Sequence, residues 1–290
     1  MKLTIITINL NNRQGLEKTV KSVVSQTYYE QIEYVVIDGA SVDGSAEFLC
    51  GYKNLLTFIS EPDNGIYNAM NKGIKLAKGD FLLFLNSGDA LYDSTVIEDI
   101  YPHLDEDVDL LIGRLIDKET KESTPYGYEV SLFSLYKLAL PHPSTFIKKS
   151  EMIKFMYDES YKIASDWKFF IQSIVLDNCT YKWMDRVVAL FDHFGVSSSN
   201  ADIGQLERAS ILNELFPPRL LTDYATFING QGYTNTDYDN FFLEFRPFKC
   251  GKLMYSFCVT AMKILSCFLS TAKKARKYPS CLFSNRQSPK

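Results

Sequence analysis

Along the first ninety residues, apolar runs of strand length alternate with segments whose apolar residues recur at helical spacing. Lys2–Asn9 (KLTIITIN) is dense in β-branched residues and predicts a buried strand. Arg13–Gln26 places Leu16, Val20, Val23 and Val24 three or four apart, which predicts a helix. Ile32–Asp38 (IEYVVID) is a second strand, followed by a turn whose Asp43 can cap a helix running to about Cys50. Leu55–Ser60 is a third, short strand. After Glu61-Pro62-Asp63-Asn64-Gly65, a helix carries Ile66, Ala69, Met70, Ile74 and Ala77 on one face. Phe81–Leu85 is an unbroken apolar run, as expected of a strand buried on both faces, and the chain leaves it through Asn86, Ser87, Gly88 and Asp89. Strands and helices joined by short links predict an α/β fold: a Rossmann-like, mostly parallel central sheet with flanking helices.

Farther on, Leu110–Arg114 reads as a strand and 116–128 as a polar hairpin or loop over the strand ends. Pro141–Phe146 leads into a short apolar strand. Ile163–Trp167 opens a helix with Phe169, Phe170, Ile174 and Val175 on its apolar face, and Tyr181–Phe191 is another strand. Ala201–Phe216 predicts a helix stopped by Pro217-Pro218, and Tyr224–Phe248 reads as irregular. In 252–277, polar residues recur every three or four positions among apolar ones, a helix with a wide apolar face and basic edges. The expected organisation is a domain over 1–200, divided near residue 90, and a helical extension over 201–290.

Charge changes the picture more than composition does. A content of 46% apolar and 14% aromatic residues excludes a disordered chain. The net charge of −4 hides a division: residues 246–290 hold ten Lys/Arg and no acid, leaving 21 basic against 35 acidic residues before them. A basic tail on an acidic body points to an anionic surface, and with its amphipathic helix the tail suits a membrane interface. A helix packed on the body or on a second subunit is the competing reading. With an acidic body and no recognition module, nucleic acid is not an expected partner. No run of 18 uncharged apolar residues exists and Leu3–Ile8 is too short for a signal peptide, so neither a spanning helix nor a leader is expected. Six cysteines without CxxC or zinc spacing suit reduced thiols in a cytosol.

Three of the four early strand ends carry an aspartate cluster: Asp38, Asp63 with Asn64, and Asp89. Parallel strands bring these ends to one edge, where ligands of open α/β sheets bind. Asp89 can hold a hard divalent cation there or merely cap a helix. Neither a dinucleotide fingerprint nor a P-loop is present.

TIITINLNN, VVIDGASVDGS, SEPDNGIYNAMNKGIKLAKGD and FLLFLNSGD, in this order and spacing, resemble the inverting family 2 glycosyltransferases of A-type fold. The likeness is to the bacterial branch acting in capsule, exopolysaccharide and O-antigen synthesis. It covers residues 3–90 closely and extends more loosely to about 197. It implies a nucleotide-binding half (1–90), an acceptor half (91–200) and a nucleotide-sugar donor, UDP-linked in the first instance. By the resemblance, Thr7 and Asn9 line base and ribose, Asp38 contacts uracil or ribose, and Asp63, Gly65, Asn68 and Asn71 lie beside nucleoside and sugar. Asp89 matches the last position of the Asp-x-Asp element, which binds Mn2+ or Mg2+ between the phosphates. Asn86 stands at the first position and Gly88 where many relatives have another aspartate, which weakens the metal site. His142 lines the donor–acceptor cleft, where a structural histidine is the alternative. Asp166 is the catalytic base by the resemblance and a helix N-cap by local pattern. The acceptor is a cell-surface glycan or a lipid-linked one, and the location is cytoplasmic, peripheral on the inner face of the membrane. A sugar-phosphate nucleotidyltransferase would carry glycine after strand one, which Leu10-Asn11-Asn12-Arg13 lacks. A non-catalytic assembly subunit is suggested by Asn68 and Asn86 and opposed by Asp38, Asp89 and Asp166.

Overall fold

β1 (Leu3–Asn9) is buried along its whole length, its six apolar or β-branched residues ending in a buried asparagine, as suits the centre of a covered sheet. It begins the computed structural model, which describes residues 2–105, 107–192 and 201–228. α1 (Arg13–Val24) follows, its first turn capped by Asn12, whose side chain accepts from the Gly15 N–H. Then come β2 (Ile32–Asp38), α2 (Ser45–Cys50), β3 (Thr57–Ser60), α3 (Ile66–Leu76) and β4 (Phe81–Phe84). β3 is two residues shorter than its apolar run, because the N–H groups of Leu55 and Leu56 turn back to the Tyr52 carbonyl. α3 lies tightly on β1: a Cβ on Gly73 would stand 2.5 Å from Cγ2 of Ile6.

The second half contains β5 (Ala90–Leu91), α4 (Val96–Ile100), β6 (Leu110–Asp117), α5 (Leu132–Lys137), β7 (Thr145–Lys148), α6 (Lys149–Lys154), α7 (Ser165–Phe170) and β8 (Tyr181–Phe191). α7 continues as a π-helical turn over Ile171–Leu176. The eight strands form one sheet in the order β3-β2-β1-β4-β7-β6-β8-β5. β3, β2, β1 and β4 are mutually parallel, as are β6 and β8, and β7 runs antiparallel between β4 and β6. A strand antiparallel to both neighbours leaves β4 and β6 pointing the same way. The carboxyl ends of β1, β2, β3, β4, β6 and β8 therefore share one edge.

α8 (Ala201–Leu215) belongs to the same compact unit as the sheet, which extends to Leu215. Glu207 on α8 accepts from the N–H groups of Lys162, Ile163 and Ala164 and thereby caps the approach to α7 from outside. The second unit begins at Phe216 and is described as far as α9 (Pro218–Ile228). Pro218 opens α9 where a missing N–H is harmless, so the proline pair ends one helix and starts the next. Tyr224–Ile228, read as irregular from sequence, is thus helical. The rest of that stretch and the amphipathic segment 252–277 lie outside the described residues. Among the described residues no helix is long and apolar enough to cross a membrane.

Candidate active site

Sheet register aligns Asn9 with Asp38 and Asp38 with Ser60 at the shared edge. Asp38 is fully buried and its carboxylate receives four hydrogen bonds. Oδ1 accepts from Asn9 Nδ2 (2.8 Å) and Ser41 Oγ (2.6 Å), and Oδ2 from the Ser41 N–H (3.0 Å) and Ser60 Oγ (2.6 Å). Burial pushes its pKa up, and the bonds from Ser41, Ser60 and Asn9 outweigh that and hold it below the ordinary value. Asp38 therefore ties three strand ends and the 39–44 turn together. Thr7 is also turned inward: its hydroxyl donates to the Leu85 carbonyl at 2.7 Å and meets the Tyr34 hydroxyl at 3.0 Å. Asn9 is different, because its buried Oδ1 has no hydrogen-bond partner.

Asp63 accepts from the Gly65 N–H at 3.0 Å, in the loop entering α3. Asn68 and Asn71 face the other half of the domain. Asn68 Nδ2 donates to Glu159 (2.7 Å), and Asn71 Nδ2 donates to Glu159 and to the Tyr157 carbonyl (both 2.8 Å). They hold the 157–159 loop against α3. Tyr157 packs between Tyr67, Phe84 and Phe169 at ring distances of 5.3, 5.4 and 6.0 Å, an aromatic floor joining α3, β4 and α7.

After β4 the chain turns sharply. Thr19 on α1 pins this turn, accepting from the Gly88 N–H (3.0 Å) and donating to the Asp89 carbonyl (2.6 Å). Gly88 has φ +112°, a conformation that strains any side chain, and an added Cβ would lie 3.6 Å from Asp192 Cβ. That geometry accounts for glycine at this position. Asp89 is 4% exposed, and its Oδ1 accepts from the Asp192 N–H at 3.1 Å. Burial pushes its pKa up to about 6, against the lowering influence of His142, the Asp192 N–H and Lys118. It does not cap α4, whose approach is organised instead by Asp93 on the Thr95 N–H and hydroxyl.

Asn86 leads from this turn to Asp166. Its Nδ2 is 3.3 Å from His142 Nε2, and His142 Nδ1 is 3.3 Å from Asp166 Oδ2. One neutral tautomer satisfies both contacts: Nε2 accepts from Asn86, and the Nδ1–H donates to Asp166. Asp166 Oδ1 accepts from the Tyr67 hydroxyl (3.0 Å) and the Trp167 N–H (2.9 Å). Burial would raise its pKa, yet His142, Tyr67 and the Trp167 N–H outweigh it and hold it below the ordinary carboxylate value. Asp166 is not the N-cap: Ala164 occupies that position, Glu207 holds the N–H groups of Lys162, Ile163 and Ala164 before the first turn, and Asp166 lies inside that turn with Oδ1 on the Trp167 N–H. The side chain remains 21% exposed.

Asn86, Asp89, His142 and Asp166 thus stand together, while Thr7 and Asp38 make their contacts inside the fold. Sequence reasoning overlooked Tyr67, Glu159 and Lys118. Tyr67 lay within the quoted SEPDNGIYNAM segment, and Lys118 lay in the loop expected over the strand ends.

A divalent cation fits the turn on its donor chemistry. Asn86 Oδ1 is buried without a partner, and Asp89 is a buried carboxylate whose charge burial disfavours. Among the described residues no group of three His, Cys, Asp or Glu is placed to hold a metal ion. Asn86 and Asp89 could therefore supply two oxygen ligands, the remainder coming from diphosphate and water.

Residues 4–165 match the sequence profile of Glycosyl transferase family 2. An uncharacterized glycosyltransferase of Mycobacterium tuberculosis is 33% identical over 225 residues, covering 74% of this chain and 85% of the relative. A PGL/p-HBAD biosynthesis glycosyltransferase of Mycobacterium bovis is 27% identical over 220 residues, covering 73% and 85%. The fold is similar to S. aureus TarS 1-349 in complex with UDP-GlcNAc, with TM-score 0.60 at 21% identity, covering 73% of this chain and 67% of that one. It is also similar to a mannosyltransferase of Pyrobaculum calidifontis in complex with GDP-Man and Mn2+, with TM-score 0.55 at 15% identity. This chain spans 60% of that protein's length, with 70% of its own residues. At these identities the structural likeness shows the fold alone.

Proposed function

Because the chain belongs to glycosyl transferase family 2 and is a glycosyltransferase, we propose that it moves a sugar, with inversion, from a nucleotide-sugar donor to a cell-surface glycan or lipid-linked acceptor. The observation that carries this reading is a pair of orphaned acceptors at the strand ends, Asn9 Oδ1 and Asn86 Oδ1. Buried acceptors without partners cost about 1–3 kcal/mol each, which a bound ligand or ion recovers. Asn9 then contacts the nucleoside, with Asp63 and Gly65 beside it. Asp38 shapes that pocket through the 39–44 turn instead of touching the base. Asn68 and Asn71 fix the wall between donor and acceptor.

Asp166 acts as general base. It is held ionised, it is partly open to solvent, and Tyr67 and His142 orient it. The acceptor oxygen attacks the anomeric carbon as its proton passes to Asp166, and the C1–O bond electrons leave with the diphosphate. With Asp166 as base and Asp89 kept for the diphosphate, no other carboxylate in this group of described residues is left to act as nucleophile, which supports a single displacement with inversion. A divalent ion, Mn2+ or Mg2+, at Asp89 and Asn86 would supply charge neutralisation to the leaving diphosphate. UDP and GDP both remain in view as carriers, since the structural neighbours were solved with UDP-GlcNAc and with GDP-Man. The ten cations of 246–290 support peripheral attachment to the cytoplasmic membrane face, close to a lipid-linked acceptor.

The test is Asp166→Asn, which preserves the Oδ1 acceptor. Donor binding by calorimetry is expected to persist while turnover falls about 10²- to 10⁴-fold. Turnover within a factor of a few of wild type removes Asp166 from its role.

A further inference from the structure

Lys118 takes no part in the chain of contacts from Asn86 to Asp166, yet the fold fixes it beside the Asn86–Asp89 turn. Its N–H bonds to the Phe191 carbonyl (3.1 Å), and its own carbonyl accepts from Lys121 Nζ (2.6 Å). The turn that presents it is built on Asp117, whose Oδ1 accepts from the N–H groups of Glu119 (2.8 Å) and Thr120 (3.0 Å). Its ammonium donates to the Gly88 carbonyl at 2.6 Å and stands 3.4 Å from Asp192 Oδ2, with the side chain only 24% exposed. An ammonium has three donors, and these two partners leave one for a further acceptor. Its charge is felt by the carboxylate of Asp89.

We propose that Lys118 is a built-in cation for the donor's diphosphate, sharing the neutralisation that a divalent ion would otherwise supply alone. The proposal rests on the donor reading above. Its physical ground is the scarcity of metal ligands: Asn86 is neutral, Gly88 has no side chain, and no group of three metal-ligating side chains is present among the described residues. A weak two-ligand site holds a cation loosely, whereas a tethered ammonium at the same turn is always present. Asp192 keeps the ammonium at the turn between turnovers. Lys118 transfers no proton. As the C1–O bond breaks, the electron pair stays on the diphosphate oxygen, the ammonium lowers the energy of that charge, and the acceptor's proton goes to Asp166.

The experiment is calorimetric titration of the full chain with UDP, GDP, uridine and guanosine, in EDTA and in Mn2+. Wild type is expected to bind one nucleoside diphosphate more tightly than its nucleoside even in EDTA. Lys118→Met is expected to lower that metal-free affinity roughly 10- to 100-fold, the range for losing a charge-assisted hydrogen bond, with nucleoside affinity unchanged. Lys118→Arg should restore most of it. The backbone of Lys118, not its side chain, makes the bonds to β8, and melting temperature checks that each variant folds; Lys118→Gln replaces Met if Met lowers it. Unchanged metal-free affinity in the variant, equal loss of nucleoside affinity, or wild-type binding only with Mn2+ would each overturn the role of Lys118 while leaving the donor reading intact. Wild type that binds neither diphosphate even with Mn2+ removes the donor reading itself, and this proposal with it.

Discussion

Asp38→Asn separates a residue that builds the nucleoside pocket from one that touches the nucleoside. The native carboxylate is fully buried and accepts four hydrogen bonds between 2.6 and 3.0 Å. An asparagine has one acceptor oxygen and one amide. If the oxygen replaces Oδ1, it keeps Asn9 and the Ser41 hydroxyl. The amide then meets Ser60 Oγ, which can reverse its role, and the Ser41 N–H, which cannot. A buried donor left unsatisfied costs about 1–3 kcal/mol, and the loss of charge assistance on the surviving bonds raises the total to about 3 kcal/mol or more. The pH dependence has a definite sign. The folded pKa of Asp38 lies below its unfolded value, so its contribution is present above about pH 4 and is lost as pH falls through the folded pKa. Asp38→Asn should therefore lower the free energy of unfolding in urea at pH 7 by about 3 kcal/mol and flatten the acid limb below pH 4. Nucleotide affinity, measured where the variant is fully folded, should change little. A variant within about 0.5 kcal/mol of wild type that has lost nucleotide binding would refute this reasoning and put Asp38 on the ligand.

Two further outcomes are expected. The folded pKa of Asp89, about 6, exceeds the ordinary 3.8, so the metal-free protein binds an extra proton between those values and loses stability as pH rises through them. At about 1.4 kcal/mol per unit this is about 3 kcal/mol. In EDTA at pH 8, Asp89→Asn should unfold at higher urea than wild type, and Mn2+ should raise the melting temperature of wild type only; a less stable variant would contradict the burial argument. Glu207→Gln should cost about 1.5–3 kcal/mol, because a neutral amide cannot replace a carboxylate that accepts three backbone N–H groups. Denaturant melts of that variant indistinguishable from wild type would show that α8 does not hold the approach to α7.

Some of this protein is written in local pattern. The alternation of strand and helix periods over 1–90, the ends of β2 at Asp38 and of β8 at Phe191, and the glycine-bearing turn after β4 follow from side-chain spacing alone. So does the convergence of aspartates on one edge, because parallel strands leave no other arrangement. What sequence could not give is which polar atoms those aspartates would meet. Asp38 and Asp89 look alike on paper, each at a strand end. One is saturated by Ser41, Ser60 and Asn9, while the other is buried with a single N–H partner described. The antiparallel β7 was equally hidden, since a four-residue strand carries no mark of its direction. By placing β7 between β4 and β6 the fold brings Lys118 to Gly88, and through His142 it links Asn86 to Asp166. Those pairs are 30, 56 and 24 residues apart in sequence. Short-range propensity fixes the elements, but contacts between residues so far apart depend on strand order and register, which only the assembled sheet decides.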